Sequence, residues 1–235
     1  LIVRVRQVLD AVLGMTAPDL DRAQAAFQQL DALVADAGLD LRKVDDELTY
    51  RRLQIAVARG KSDEITRHLD HLHSLGGRFS DAADRLLYKR ALTEIGTNNP
   101  PASAYSAVVR HGQRVMDQFG RDAKSLTDPA VYSLHNAVAD AAAHLWTTEH
   151  NADMRDLAVA IDRNLMSGGN PPAQVLRRFA ALAEQAGDVT GSLNAWRLLV
   201  SGLNPTAPEW FEARYHSLRL LLVQDPAAAR AAMDQ

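Results

Sequence analysis

The chain has 235 residues, 47% hydrophobic and 23% charged, which is long and apolar enough to bury a large core and unlike a disordered chain. Its 26 Lys and Arg against 29 Asp and Glu give a formal net charge of -3, with no positive excess for phosphates or anionic lipid head groups. Cysteine is absent, which excludes disulfides, thiolate metal sites and cysteine nucleophiles, and the most apolar run, 218–223, is too short to span a membrane and contains Arg219.

Apolar residues recur at spacings of three and four along the whole chain and no stretch alternates, so the sequence predicts helices throughout and no β-sheet. The opening LIVRVRQVLDAVLG already has this period, so the chain is expected to begin inside a helix and to be a fragment of a longer protein. Breaks at positions 14–18, 38–40, 60, 76–77, 96–101, 120, 128–129, 151, 168–172, 187, 204–208 and 225–226 leave about twelve helices with short connections suited to antiparallel neighbours.

Several starts carry their own chemistry. Ser80 before Asp81, Thr127 and Asp128 before Pro129, and Asp225 before Pro226 place a side-chain oxygen where it caps free backbone amides. A proline in the first turn gives up only a donor that has no partner there. Pairing the helices in order puts second helices at DLDRAQAAF from Asp19, KSDEITRHL from Lys61, ASAYSAVV from Ala102, ADMRDLAVAI from Ala152, DVTGSLNAW from Asp188 and DPAAARAAM from Asp225. The steps from Asp153 to Asp188 and from Asp188 to Asp225 are nearly equal. The step from Pro101 to Asp153 is the longest, with GRDAKSLTDP as extra connection. Helix-pair repeats of roughly 34 to 47 residues cover most of this range.

Residues 173–205, AQVLRRFAALAEQAGDVTGSLNAWRLLVSGLNP, resemble a tetratricopeptide repeat. Leu176, Phe179, Ala180, Ala183, Gly187, Ser192, Trp196, Leu199 and Pro205 fall where that family places its large, small, turn and stop residues. Ala180 and Ser192 are small where two helices cross, and Leu176, Phe179, Trp196 and Leu199 fill the space around the crossing. The likeness continues through Ala213, Ser217, Leu220, Ala229 and Met233, so it is clearest over 173–233. Weaker echoes stand at Leu53, Ala56, Gly60, Ile65, Leu69 and Leu72, and at Ala23, Phe27 and Leu30. Ile65 and Arg52 depart from the family pattern, the first large where Ala is preferred and the second charged at a usual Leu. Pro205 comes one residue late, and 76–128 is irregular.

The resemblance implies one domain over 1–235, a right-handed α-solenoid of about five to six antiparallel hairpins. It also implies a scaffold that binds a partner protein or extended peptide on its concave face, with no cofactor, no bond-making step, no nucleic acid and no membrane insertion. Projected onto that face are Tyr50, Gln54, Arg177, Glu184 and Arg214, and Arg177 with Arg214, one repeat step apart, would engage a carboxylate. The alternatives are a peptide- or metabolite-sensing domain of a regulator and a helical enzyme domain. A helical RNA reader ranks last for want of a basic surface.

No phosphate loop, dinucleotide glycine pattern, G-x-S-x-G or H-E-x-x-H occurs. His68, His71 and His73 in RHLDHLHSL are the best metal candidate, but their spacing lets at most two share a helix face, and a solvated face explains them as well. His144, Glu149 and His150 could be imagined as acid and base groups, but His144 and Glu149 lie five residues apart near a helix end, where a late-helix histidine reads as a group that complements the dipole. Trp146 and Trp196 read as packing residues, and Trp210 as either a packing or a contact residue. Arginine outnumbering lysine, with abundant alanine, suggests a GC-rich bacterial genome.

Overall fold

A computed structural model describes residues 2–13, 19–37, 41, 44–120, 124–169 and 171–233; the expected breaks at 14–18 and 38–40 lie outside them. The described residues form twelve α-helices and no strand: α1 Ile2–Leu13, α2 Leu20–Ala37, α3 Asp45–Arg59, α4 Ser62–Leu75, α5 Gly77–Ile95, α6 Ala102–Phe119, α7 Pro129–Glu149, α8 Ala152–Ser167, α9 Ala173–Gln185, α10 Val189–Gly202, α11 Pro208–Gln224 and α12 Pro226–Met233. One 3-10 turn, Ser125–Thr127, precedes α7. All six helices expected to follow a polar turn start within one residue of the expected place.

The chain divides into two compact units, Leu1–Leu87 and Tyr88–Gln235, with the boundary inside α5. In the first, α1 packs on α2, α2 on α3 and α3 on α4. Its apolar interior is in two parts: Leu9, Val12, Ala23, Phe27, Leu30, Leu48 and Ile55 form one, and Leu53, Leu72 and Ala83 the other. In the second unit each helix from α6 to α12 packs on the next, and one continuous core runs from Tyr88 to Ala229.

Local chemistry explains most boundaries. Asp128 Oδ1 accepts from the Ala130 amide at 2.8 Å, and Asp225 Oδ1 accepts from the amides of Ala227 and Ala228 at 3.1 and 3.0 Å, so both aspartate-proline pairs open helices as expected. Asn151 does the same for α8 through the Asp153 amide at 3.1 Å. The expected start at Ser80 is displaced: α5 begins at Gly77, leaving Ser80 inside its first turn. Gly76 and Gly77, both at positive φ, join α4 to α5, and no separate capping residue is interposed. The C-terminal end of α7 is made by His150, whose φ of 54° puts it in the left-handed region while its amide bonds the Trp146 carbonyl. His144, expected to serve that end, instead stacks on Tyr105 with ring centroids 3.7 Å apart.

Candidate binding groove

The segment that stands out in the sequence builds this groove. At the crossing of α9 and α10, Ser192 Oγ donates to the Ala180 carbonyl at 2.7 Å, and both residues are fully buried. The small pair lets the helices approach, and Phe179, Trp196 and Leu199 close the space on either side, each at most 4% exposed. Between the helices Gly187 turns at φ 85°, the Asp188 amide bonds the Ala183 carbonyl at 2.8 Å, and the Asp188 carboxylate accepts from the Gly191 amide at 2.9 Å. One glycine thus ends α9, and the next residue begins α10.

That turn sets α9 opposite α11, and two ion pairs join them with opposite sense. Arg177 of α9 binds Glu212 of α11, the closest approach being Nη2 to Oε2 at 2.7 Å. Arg219 of α11 binds Glu184 of α9, its Nη2 lying 2.6 Å from each carboxylate oxygen and 3.2 Å from His216 Nδ1. A recess of about 280 Å³ is lined by Arg177, Glu184, Gln185, Trp196, His216 and Arg219, with Ala181 and Glu212 completing its wall. The Trp196 indole stacks on the His216 imidazole, centroids 4.6 Å apart and planes 11° from parallel. A second recess of about 230 Å³ shares Arg177, Trp196 and Glu212 with the first and adds Ala173, Leu199 and Leu203 together with the polar Gln174 and Glu209. The Arg177–Glu212 pair is a wall common to both.

Two of the five projected residues, Arg177 and Glu184, therefore line one recess. Arg214 is placed differently: its guanidinium donates to the Ala232 carbonyl in the last turn of α12, where it satisfies a helix-end carbonyl. Tyr50 and Gln54 belong to α3 in the other unit. Tyr50 is half-buried against Phe79, with ring centroids 5.6 Å apart, and burial pushes its phenol up from the ordinary value. Gln54 keeps a buried Oε1 that accepts no hydrogen bond among the described residues.

The histidines of α4 have separate partners. His71 Nε2 lies 2.7 Å from Asp45 and His73 Nε2 lies 3.0 Å from Asp84, while burial, followed by Arg67 and Arg52, lowers the pKa of His68. Among the described residues no three such side chains are placed to share a metal ion. Trp210 donates its indole N–H to the Val200 carbonyl at 3.1 Å, which is a packing arrangement. Trp146 does likewise to Gln185 Oε1 at 2.5 Å.

Sequence reasoning missed the most buried charge pair. Arg178 donates to both oxygens of Asp162, from Nε at 2.9 Å and from Nη2 at 2.5 Å. It also reaches Asn136 at 2.9 Å and Asp140 at 3.1 Å. Asp162 is 0% exposed and the Arg178 side chain 8%. Burial pushes the Asp162 carboxyl above its ordinary range, and the guanidinium hydrogen bonds oppose that shift. Glu212 and Arg219 were missed as well, although each stands 35 residues from its partner, the same step for both pairs.

Neither protein-family models nor curated proteins give a match to the sequence. The class rests on the architecture itself: an all-α chain whose consecutive helices pack on one another.

Proposed function

We propose that this chain is a helical-repeat scaffold of the tetratricopeptide kind, and that it binds a partner protein or an extended peptide along a groove formed by the first helices of successive hairpins, with no bond-making step. The observation that carries this reading is the recess between α9 and α11. These are the first helices of two consecutive pairs in the sequence register, and charged side chains one repeat step apart converge on a stacked aromatic pair. Such a surface offers directional polar contacts around an apolar floor, the pattern that gives selectivity in peptide grooves. The charged pairs are part-exposed, so they are open to exchange partners with an incoming chain.

The test is affinity capture from the source organism with the full-length protein, comparing wild type with the double charge swap Arg177→Glu/Glu212→Arg. The swap retains an ion pair between α9 and α11 while reversing the pattern presented to a ligand. Partners lost from the swapped protein, at unchanged circular dichroism and melting temperature, support the groove. Partners retained in full remove it as the binding face.

A further inference from the structure

Helix α11 is apolar on two sides. Ala213, Ser217, Leu220 and Leu221 form its buried side. On the other, Phe211, Tyr215, Leu218 and Leu222 recur at spacings of four, three and four and fall within roughly 60° of the helix circumference. Phe211 is 59% exposed, Tyr215 63% and Leu222 46%, and Val223 beside them 79%. A surface helix needs one apolar face, so a second marks a contact surface. Both rings are restrained by aromatic neighbours: Phe211 meets Trp210 edge-on with centroids 5.2 Å apart, and Tyr215 meets His216 edge-on at 5.3 Å. That restraint lowers the cost of ordering them against a partner.

The stripe is complementary to itself. Laid antiparallel about a two-fold axis between positions 216 and 217, it sets Phe211 against Leu222 of a second copy and Tyr215 against Leu218, so each ring meets an aliphatic side chain. Charge follows the same symmetry. Glu212 and Arg219 stand seven residues apart on one flank, and the axis brings Glu212 to within about 3 Å, along the helix, of the level of Arg219 of the second copy. Both are part-exposed while bound to their α9 partners, which leaves each open to a second ion of opposite sign. On the other flank, Arg214 is engaged by the Ala232 carbonyl of its own chain.

The area is enough for a weak pair. Phe211 and Tyr215 expose about 240 Å² between them, taking about 200 Å² for a whole aromatic side chain. Leu222 and Val223 bring the stripe to roughly 400 Å² per copy, the size of a functional patch. Two stripes then bury about 800 Å², and the flanking ions bring the total near the roughly 1,200 Å² at which stable specific interfaces begin. We propose that α11 pairs antiparallel with α11 of a second copy, forming a two-fold dimer with a Kd of about 10 μM. This pairing is independent of whether the groove takes a ligand.

Sedimentation velocity of the intact 235-residue chain between about 1 and 500 μM reads the association, and the expected mass rises from monomer to dimer across that range. Phe211→Glu and Tyr215→Glu should each raise Kd roughly tenfold or more at unchanged circular dichroism, since both side chains are exposed in the monomer. Glu212→Arg and Arg219→Glu test the axis. Each alone places like charges across it and should weaken the dimer, whereas an equimolar mixture of the two restores opposite charges at both crossings and should associate roughly tenfold more tightly than either alone.

A wild-type chain that stays monomeric to 500 μM, a dimer indifferent to Phe211→Glu and Tyr215→Glu, or a mixture no tighter than its components each overturns the proposal. A monomeric wild type that captures a different protein, lost in Phe211→Glu, overturns it and assigns the stripe to that protein. A monomeric full-length protein beside a dimeric 235-residue chain overturns it as well and assigns the stripe to a segment outside these residues.

Discussion

The two units place the same charged residue types in opposite settings. In the first, three arginines of one helix, Arg51, Arg52 and Arg59 of α3, reach back to Asp10 of α1 and to Asp31 and Asp21 of α2, and every one of those aspartates is more than half exposed. In the second, Arg178 of α9 is buried among Asp162, Asp140 and Asn136 from α8 and α7, with Asp162 wholly enclosed. Exposed pairs gain little because water screens the attraction and two long side chains are ordered for it. A buried pair gains much from each partner only while the other is present, because a lone charge there has no water to solvate it. The α3 arginines of the first unit trim the outside of split apolar clusters. The second holds three successive helices in register with one buried hub inside a continuous core.

The largest expected effect follows from that hub. Arg178→Met leaves the Asp162 carboxylate enclosed without a counter-charge and should cost about 3–5 kcal/mol in urea unfolding of the intact chain. The double change Arg178→Met/Asp162→Leu removes both charges and should recover at least half of that loss. A single variant as stable as wild type would show that the pair does not carry the buried charge, and the comparison between the units would collapse.

Next in size is the contact of α6 with α7. A Cβ built at Gly112 would lie 2.4 Å from Val138 Cγ2 and 3.2 Å from the Tyr88 ring, and Val138 has no exposure through which to retreat. Gly112→Ala should therefore destabilise by about 1–3 kcal/mol despite raising helix propensity. Pairing it with Val138→Ala should return part of the loss, and an unchanged urea midpoint for the single variant would deny the close approach.

Gly112 also shows what the sequence does and does not reveal. Helix starts were legible because caps act within three residues: Asp128, Asn151, Asp188 and Asp225 each carry their own explanation in the local string. The crossing of α9 and α10 was legible because large and small residues alternate at a spacing that both helices share. A glycine in mid-helix, by contrast, looks like weakness until the neighbouring valine is known. Arg178 and Asp162 look like two solvated charges on amphipathic helices, because burial belongs to the assembled helices. Within the candidate groove, Arg177 and Glu184 were reached by projecting one repeat. Their partners Glu212 and Arg219 needed the further step of matching opposite charges one repeat apart. Arg214 stands two residues beyond Glu212 on α11 and turns to the end of α12, a destination set by a helix too short to announce its packing in sequence.

A smaller effect is expected at Arg52, a charged residue where the tetratricopeptide resemblance leads one to expect leucine. Its guanidinium lies 4.8 Å from the Phe27 ring centroid and pairs with Asp31 at 2.5 Å, so the aliphatic stem and the cation cover the aromatic surface that a leucine would cover. Arg52→Leu should then change stability by no more than about 1 kcal/mol, while Arg52→Ala loses the cover and should cost about 1 kcal/mol. Raising salt should narrow the gap between wild type and Arg52→Leu, since only the ion pair is screened. A loss of several kcal/mol in Arg52→Leu would mean that surface charge in the first unit does what the buried hub does in the second.

The smallest effect is a pH dependence on the neighbouring helix. His68 is lowered from its ordinary pKa of 6.5, first by burial, then by Arg67 and Arg52, with Glu64 acting in the opposite direction and His71 adding slightly to the depression. A depressed folded-state value means that the unfolded chain binds the proton more readily. The contribution of His68 is therefore complete above the unfolded value and is lost as pH falls from about 6.5 through the folded value. His68→Gln keeps a polar side chain of similar reach and removes the titration, so the stability difference between wild type and variant should shrink or reverse between pH 8 and pH 5 in urea unfolding. Arg52→Leu removes one of the two cations that disfavour the imidazolium, so in that background the same fall should begin at lower stability loss per pH unit. A difference between wild type and His68→Gln that stays constant across this range would show that His68 is as freely solvated as the exposed aspartates that α3 reaches, and that the burial of Leu72 on α4 does not extend to His68.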